Sequence, residues 1–163
     1  MKLLFLHCDY IRFKPLKKAL KSVEELSESE KKEHEVKECL GVFVAVEKGD
    51  STETVKELVS NVKDVSSQVK AKNIVLYPYA HLSRNLSSPD VALDVLKKSE
   101  EELAKEFTVV RAPFGYYKEF ELKVKGHPLS ELSREIGSSI ASPPHPHDAT
   151  KIKPPLAKEE VYD

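Results

Sequence analysis

The chain has 163 residues, 40% of them apolar, with 26 Lys and Arg against 27 Asp and Glu, a formal charge of -1. That suits one domain of ordinary size, or a smaller one with a tail. It argues against an indiscriminate nucleic-acid binder and leaves room for a site that grips one RNA end. The longest apolar-or-glycine run, residues 39–46, is far short of the roughly 20 that span a bilayer, residues 1–6 are too short for a signal segment, and two cysteines, Cys8 and Cys39, make no disulfide framework. Membrane, secreted-scaffold and collagen-like classes are thereby excluded.

In chain order, residues 2–9 read as a strand buried on both faces, with Leu3, Leu4, Phe5 and Leu6 running together. A second short strand follows at residues 10–13. Residues 14–37, dense in lysine and glutamate, read as a solvated loop with a helical turn. Residues 39–47 form the strongest strand, valine-rich and bounded by Gly49. Residues 51–72 carry one helical stripe: Val55, Leu58, Val59, Val62, Val65 and Val69. Asp50 or Ser51 can cap it. A strand at 73–79 is closed by Pro78. Ser88-Pro89-Asp90 signals a helix running to about residue 106. Residues 107–111 and 116–125 read as strands, the second alternating cleanly. Pro128 is expected to open a last helix to residue 136, ended by Gly137. Residues 137–163 hold five of the ten prolines and little apolar periodicity, so they read as a linker or tail. The implied class is α/β: one mixed sheet with helices packed against it.

Chemistry is not announced by a general motif. The chain has no P-loop, G-x-G-x-x-G, G-x-S-x-G, H-E-x-x-H or C-x-x-C. Three polar-aromatic clusters remain at element ends, where open α/β sheets place ligands. In Tyr77-Pro78-Tyr79-Ala80-His81-Leu82-Ser83, His81 either meets a substrate or simply caps a turn. In Ala112-Pro113-Phe114-Gly115-Tyr116-Tyr117-Lys118, Lys118 is either held for a purpose or guards a strand edge. In Gly126-His127-Pro128-Leu129-Ser130-Glu131-Leu132-Ser133-Arg134, Glu131 either joins a site or complements a helix dipole. His145-Pro146-His147-Asp148 has metal-ligand residue types, but its prolines hold it extended and no fourth partner is near. His7, Cys8 and Asp9 read as core or crevice wall.

Together with Leu6-His7-Cys8-Asp9-Tyr10 and Val44-Ala45-Val46-Glu47, these three clusters resemble the N-terminal editing domain of archaeal threonyl-tRNA synthetases, over residues 1–136. The resemblance implies a D-aminoacyl-tRNA deacylase-like fold, usually dimeric, in the cytoplasm. It implies hydrolysis of serine wrongly esterified to tRNA(Thr), with no cofactor for editing. ATP and zinc would belong to a synthetase body, and the synthetase catalytic and anticodon-binding modules would act in cis or in trans. By the same resemblance Lys118, Tyr117, His81 and Glu131 are the residues nearest the chemistry. Val46, Pro78, Ala80, Phe114 and Gly115 line the pocket for the acyl group and terminal adenosine. The rival readings are a broad D-aminoacyl-tRNA deacylase and a non-catalytic tRNA-docking appendage. Strand alternation sends Tyr117 and Lys118 to opposite faces, so both serve one site only if the chain is bulged near Gly115, or if one acts through a dimer or from the adenosine side.

Overall fold

The computed structural model describes residues 1–137. The tail beyond Gly137, with the 145–148 cluster, lies outside the described residues. Six strands form one sheet: β1 (Lys2–Lys18), β2 (His34–Ala45), β3 (Asn73–Pro78), β4 (Thr108–Arg111), β5 (Tyr116–Val124) and β6 (Glu131–Glu135). The order is β4-β3-β2-β1-β5, with β6 sharing the β5 edge of β1. The pairs β2–β3 and β3–β4 are parallel; the pairs made by β1 are antiparallel.

Helices α1 (Thr52–Val69) and α2 (Pro89–Leu103) cover one face. The expected stripe of α1 is buried at Val55, Leu58, Val62 and Val65, and Ser51 with Thr54 closes a capping box. Ser88 caps α2 and Pro89 sits at its first turn. These helices pack with Leu3, Phe5, Leu40, Val42, Val44, Ile74 and Leu76. The other face gathers Ile11, Phe13, Phe43, Val75 and Tyr77. The sheet curls so far that Phe120 on β5 meets Tyr77 on β3, ring centroids 5.3 Å apart, although two strands lie between them in the order.

Two expectations are corrected. The strands expected at 2–9 and 10–13 are one strand, β1, which runs on through Lys18 and so takes in the start of the stretch expected to be loop. The split has a physical origin. Between Cys8 and Tyr10 the pairing with β5 slips by one residue, and across from it Glu38 takes a positive φ of 47°. The slip moves the positions that face this second cluster from Leu4, Leu6 and Cys8 to Ile11 and Phe13, which breaks the alternation without ending the strand. The expected last helix is instead β6, paired from Leu6↔Glu131 to Lys2↔Glu135. Its burial alternates with period two, Leu132 and Arg134 being half-buried between exposed neighbours. Five residues against an open strand edge gain more from ladder hydrogen bonds than from a single isolated helical turn.

Candidate functional site

A cleft of about 440 Å³ opens at the carboxyl ends of the parallel strands β2 and β3, within the size range of small-molecule sites. Val44 and Val46 form its floor, with Tyr77, Pro78 and the 79–81 turn beside them. Ala92 and Leu96 of α2 close one flank, and residues 114–118 with Phe120 close the other. The lining is largely apolar, with His81 and Lys118 as its ionisable nitrogens.

Of the residues singled out in the sequence, Val46, Pro78, Ala80, His81, Phe114, Gly115, Tyr117 and Lys118 border this cleft. Glu131 does not. It pairs with Leu6, while Lys118 pairs with Pro15; nine positions of β1 separate them, about 30 Å of extended strand.

Lys118 is half-buried, and its Nζ donates to the carbonyls of Pro113 (2.8 Å) and Tyr116 (3.0 Å). The same nitrogen stands 5.2 Å from the centre of the Tyr77 ring. No carboxylate among the described residues pairs with it, and desolvation lowers its pKa to about 8. Tyr77 is buried too, and desolvation raises its phenol above the ordinary value. His81 is exposed in a short 3-10 turn, its ring edge-on to Tyr79 at 5.2 Å.

Tyr117 and Lys118 do border one cleft. Between Pro15 and Lys18 the β1–β5 pairing slips again, opposite Tyr117, and a slip of this kind re-aims side chains. Tyr117 is 55% exposed at the rim, with Lys17 Nζ 5.9 Å from its ring centre. Gly115 has φ +79°, and a Cβ there would overlap Val23 Cγ1, so glycine is required on both counts.

Sequence reasoning missed Ala19, Leu20 and Leu86 as wall residues. The first two belong to the stretch expected to be solvated. A signal was present: Leu20, Val23 and Leu26 recur every third residue and are half-buried among exposed charges.

Away from the cleft, Cys8 and Cys39 face each other across β1 and β2 as free buried thiols. Burial pushes them up to about 11 and about 12, so they are inert packing groups. No helix among the described residues is long and apolar enough to cross a membrane.

A mixed sheet carrying both helices on one face, with a cleft at its parallel strand ends, is a D-aminoacyl-tRNA deacylase-like fold. The solved structure of a probable eukaryotic D-amino acid tRNA deacylase superposes with a TM-score of 0.60 at 12% identity, covering 83% of this chain and 98% of that one. A c-Myc DNA unwinding element binding protein gives 0.61 at 11% identity, covering 83% and 99%. At such identities the likeness speaks for fold alone. Residues 1–136 match the model of the archaea-specific editing domain of threonyl-tRNA synthetase, and the chain belongs to that family. It is 53% identical over 140 residues to a threonine--tRNA ligase of Thermococcus onnurineus, and 49% identical over 146 residues to one of Methanococcoides burtonii. Those matches cover 83% and 88% of this chain, but only 22% and 23% of the relatives.

Proposed function

We propose that the cleft takes the 3′-terminal aminoacyl-adenosine of tRNA(Thr) and hydrolyses the ester when the amino acid is serine. What supports this most is the agreement of family and geometry: in a member of an editing-domain family, eight of the nine expected residues border one cleft, around a lysine ammonium that pairs with no carboxylate among the described residues. The chemical need is plain. Serine is threonine without a methyl group, and a pocket that admits threonine rejects serine by only about 1–3 kcal/mol. A second site that hydrolyses what fits a smaller pocket restores accuracy.

An ester is already reactive, so the site has three tasks: hold the acyl group, place a water, and stabilise the developing oxyanion. The apolar walls at Val46, Pro78, Ala80 and Phe114 do the first. Lys118 supplies positive charge for the third, and His81 and Tyr117 supply hydrogen-bonding groups at the rim. A hydroxyl of the terminal ribose helps to activate the water. No metal or nucleotide cofactor enters this reading; ATP and zinc belong to a synthetase body.

Glu131 joins the site in this reading only from a second copy of the chain, in a homodimer. The synthetase catalytic and anticodon-binding modules act in cis or in trans, in the cytoplasm. The test is ester loss from seryl-, threonyl- and D-seryl-tRNA(Thr), the L-serine ester being lost fastest. Faster loss of the D-serine ester would favour a broad D-aminoacyl deacylase instead.

A further inference from the structure

The 113–116 turn is a partition. The cleft lies on one side of it; on the other is a second cavity of about 150 Å³, bordered by Val23, Glu24, Leu26, Pro113 and Tyr116. Phe114 packs against the helix-side core, but open space borders the rest of the turn on both sides. Yet two of its carbonyls, Pro113 and Tyr116, hold the Lys118 ammonium. Its remaining support comes from the charged stretch. The amides of Ala19 and Leu20 both donate to Gly115 O, at 2.8 and 3.2 Å. Val23 Cγ1 occupies the space that a Cβ at residue 115 would need. The Tyr116 hydroxyl donates to Glu24 O at 2.6 Å, and Lys18 pairs with Glu25 at 2.5 Å.

We infer that residues 19–25 clamp the 113–116 turn, which makes Val23 and Tyr116 positioning residues for the Lys118 ammonium. Neither touches that nitrogen through its side chain. Val23 acts through Gly115, and the Tyr116 hydroxyl ties its own backbone to Glu24. The clamp therefore decides where the carbonyls stand and how much water reaches the ammonium. Other titratable groups around Lys118 are Tyr77, Tyr79 and His81 across the cleft, Tyr117 and Glu119 beside it on β5, and Lys14 and Lys17 on β1. None of these side chains is itself changed by Val23→Ala or Tyr116→Phe, so a change at Lys118 reports the turn.

The kinetic part of this inference rests on the proposed function; the titration part does not. The experiment uses the full chain with 13C-labelled lysine, the Lys118 signal being assigned by its loss in Lys118→Met. Val23→Ala and Tyr116→Phe are compared singly and together, with Glu28→Gln as a control on the same stretch, whose contacts are with Lys31. In the unaltered protein Lys118 titrates near 8. In the double variant the midpoint moves upward by about half a pH unit or more, because a loosened turn admits water to the charged form. The kcat for the serine ester falls about three- to thirtyfold, with KM changed less than about twofold. Glu28→Gln changes neither. If the double variant fails to fold, Tyr116→Phe alone, which removes one hydrogen bond, shows the same upward direction. A folded variant with an unmoved midpoint overturns the clamp, whatever happens to the rate. If the unaltered protein hydrolyses no ester, the functional reading falls, and the titration still decides the clamp.

Discussion

Lys118 is the residue on which site and fold press against each other. Its ammonium is half-buried and held by two carbonyls and an aromatic face, with no carboxylate partner among the described residues. Burial disfavours the charge, so the native protein releases this proton near pH 8, while the unfolded chain holds it to the ordinary 10.5. The native state thus binds fewer protons between those values. The desolvation cost is full below pH 8 and recedes as pH rises through that window, a rise in stability that Lys118→Met lacks. The charged form is the one that stabilises an oxyanion. Ester hydrolysis, corrected for the spontaneous rate, therefore declines as pH climbs through about 8. In Lys118→Met, which keeps the apolar stem, it drops about 10- to 150-fold, the equivalent of a charged hydrogen bond worth about 1.5–3 kcal/mol. Wild-type rates in a folded Lys118→Met would reduce this lysine to a strand-edge charge. The placement of Lys118 at the cleft was legible in the sequence only through its aromatic neighbours and the resemblance. How it shares a cleft with Tyr117 was not, because the slip between Pro15 and Lys18 is a matter of pairing with a distant strand.

At the scale of elements, periodicity revealed both helices and the core strands, because each buries its own stripe. It failed where an element depends on its partner. β6 has little apolar content, and it is a strand because β1 offers Lys2–Leu6 an open edge. What docks the segment before it is a pair of histidines. Leu129 N–H donates to His127 Nδ1 at 3.1 Å, so the ring hydrogen sits on Nε2 and points to His7 Nδ1, 2.7 Å away. The backbone doubles the link: His7 N donates to Ser130 O, and Lys125 N to His7 O, each at 2.9 Å. This arrangement needs the His7 ring neutral, since its Nδ1 accepts. Burial, then the neighbouring His127 and Lys125, lower the His7 pKa from its ordinary 6.5. The unfolded chain takes up a proton below 6.5 that the native state resists, so stability is present above that value and is lost as pH falls below it. Urea unfolding between about pH 7.5 and pH 5 reads this clear of the carboxylates, which titrate lower. His7→Gln, which still accepts from His127 and does not titrate, flattens the decline. An equally steep decline in His7→Gln would mean that the pair contributes nothing to the pH dependence.

For the whole molecule, the described chain closes on itself. The Met1 ammonium is buried against Glu47 (2.9 Å), Asp50 (3.1 Å) and the carbonyl of Ile136 (2.7 Å), and Ile136 N donates back to Met1 O. Gly137, at φ +98°, lies against Asp50. This closure coincides with the end of the family match at residue 136. Nothing in composition announced it, since it joins the two ends of the domain through two buried acids. A domain of residues 1–136 with a dispensable proline-rich tail is therefore proposed. Ending the chain after Gly137 leaves the melting temperature and the deacylation rate nearly unchanged. Ending it after Arg134 strips the ammonium of its carbonyl partner and Ile136 from the core, lowering the melting temperature by about 5–10 °C. A large loss from the first cut would move the domain boundary into the tail. One ratio decides the proposed editing activity most directly: the rate constants for ester loss from L-seryl- and L-threonyl-tRNA(Thr), measured side by side with the unaltered protein. Because the extra methyl must be rejected by a pocket wall, the serine ester is lost at least about tenfold faster. Equal rates, or no loss above the buffer control, would contradict it.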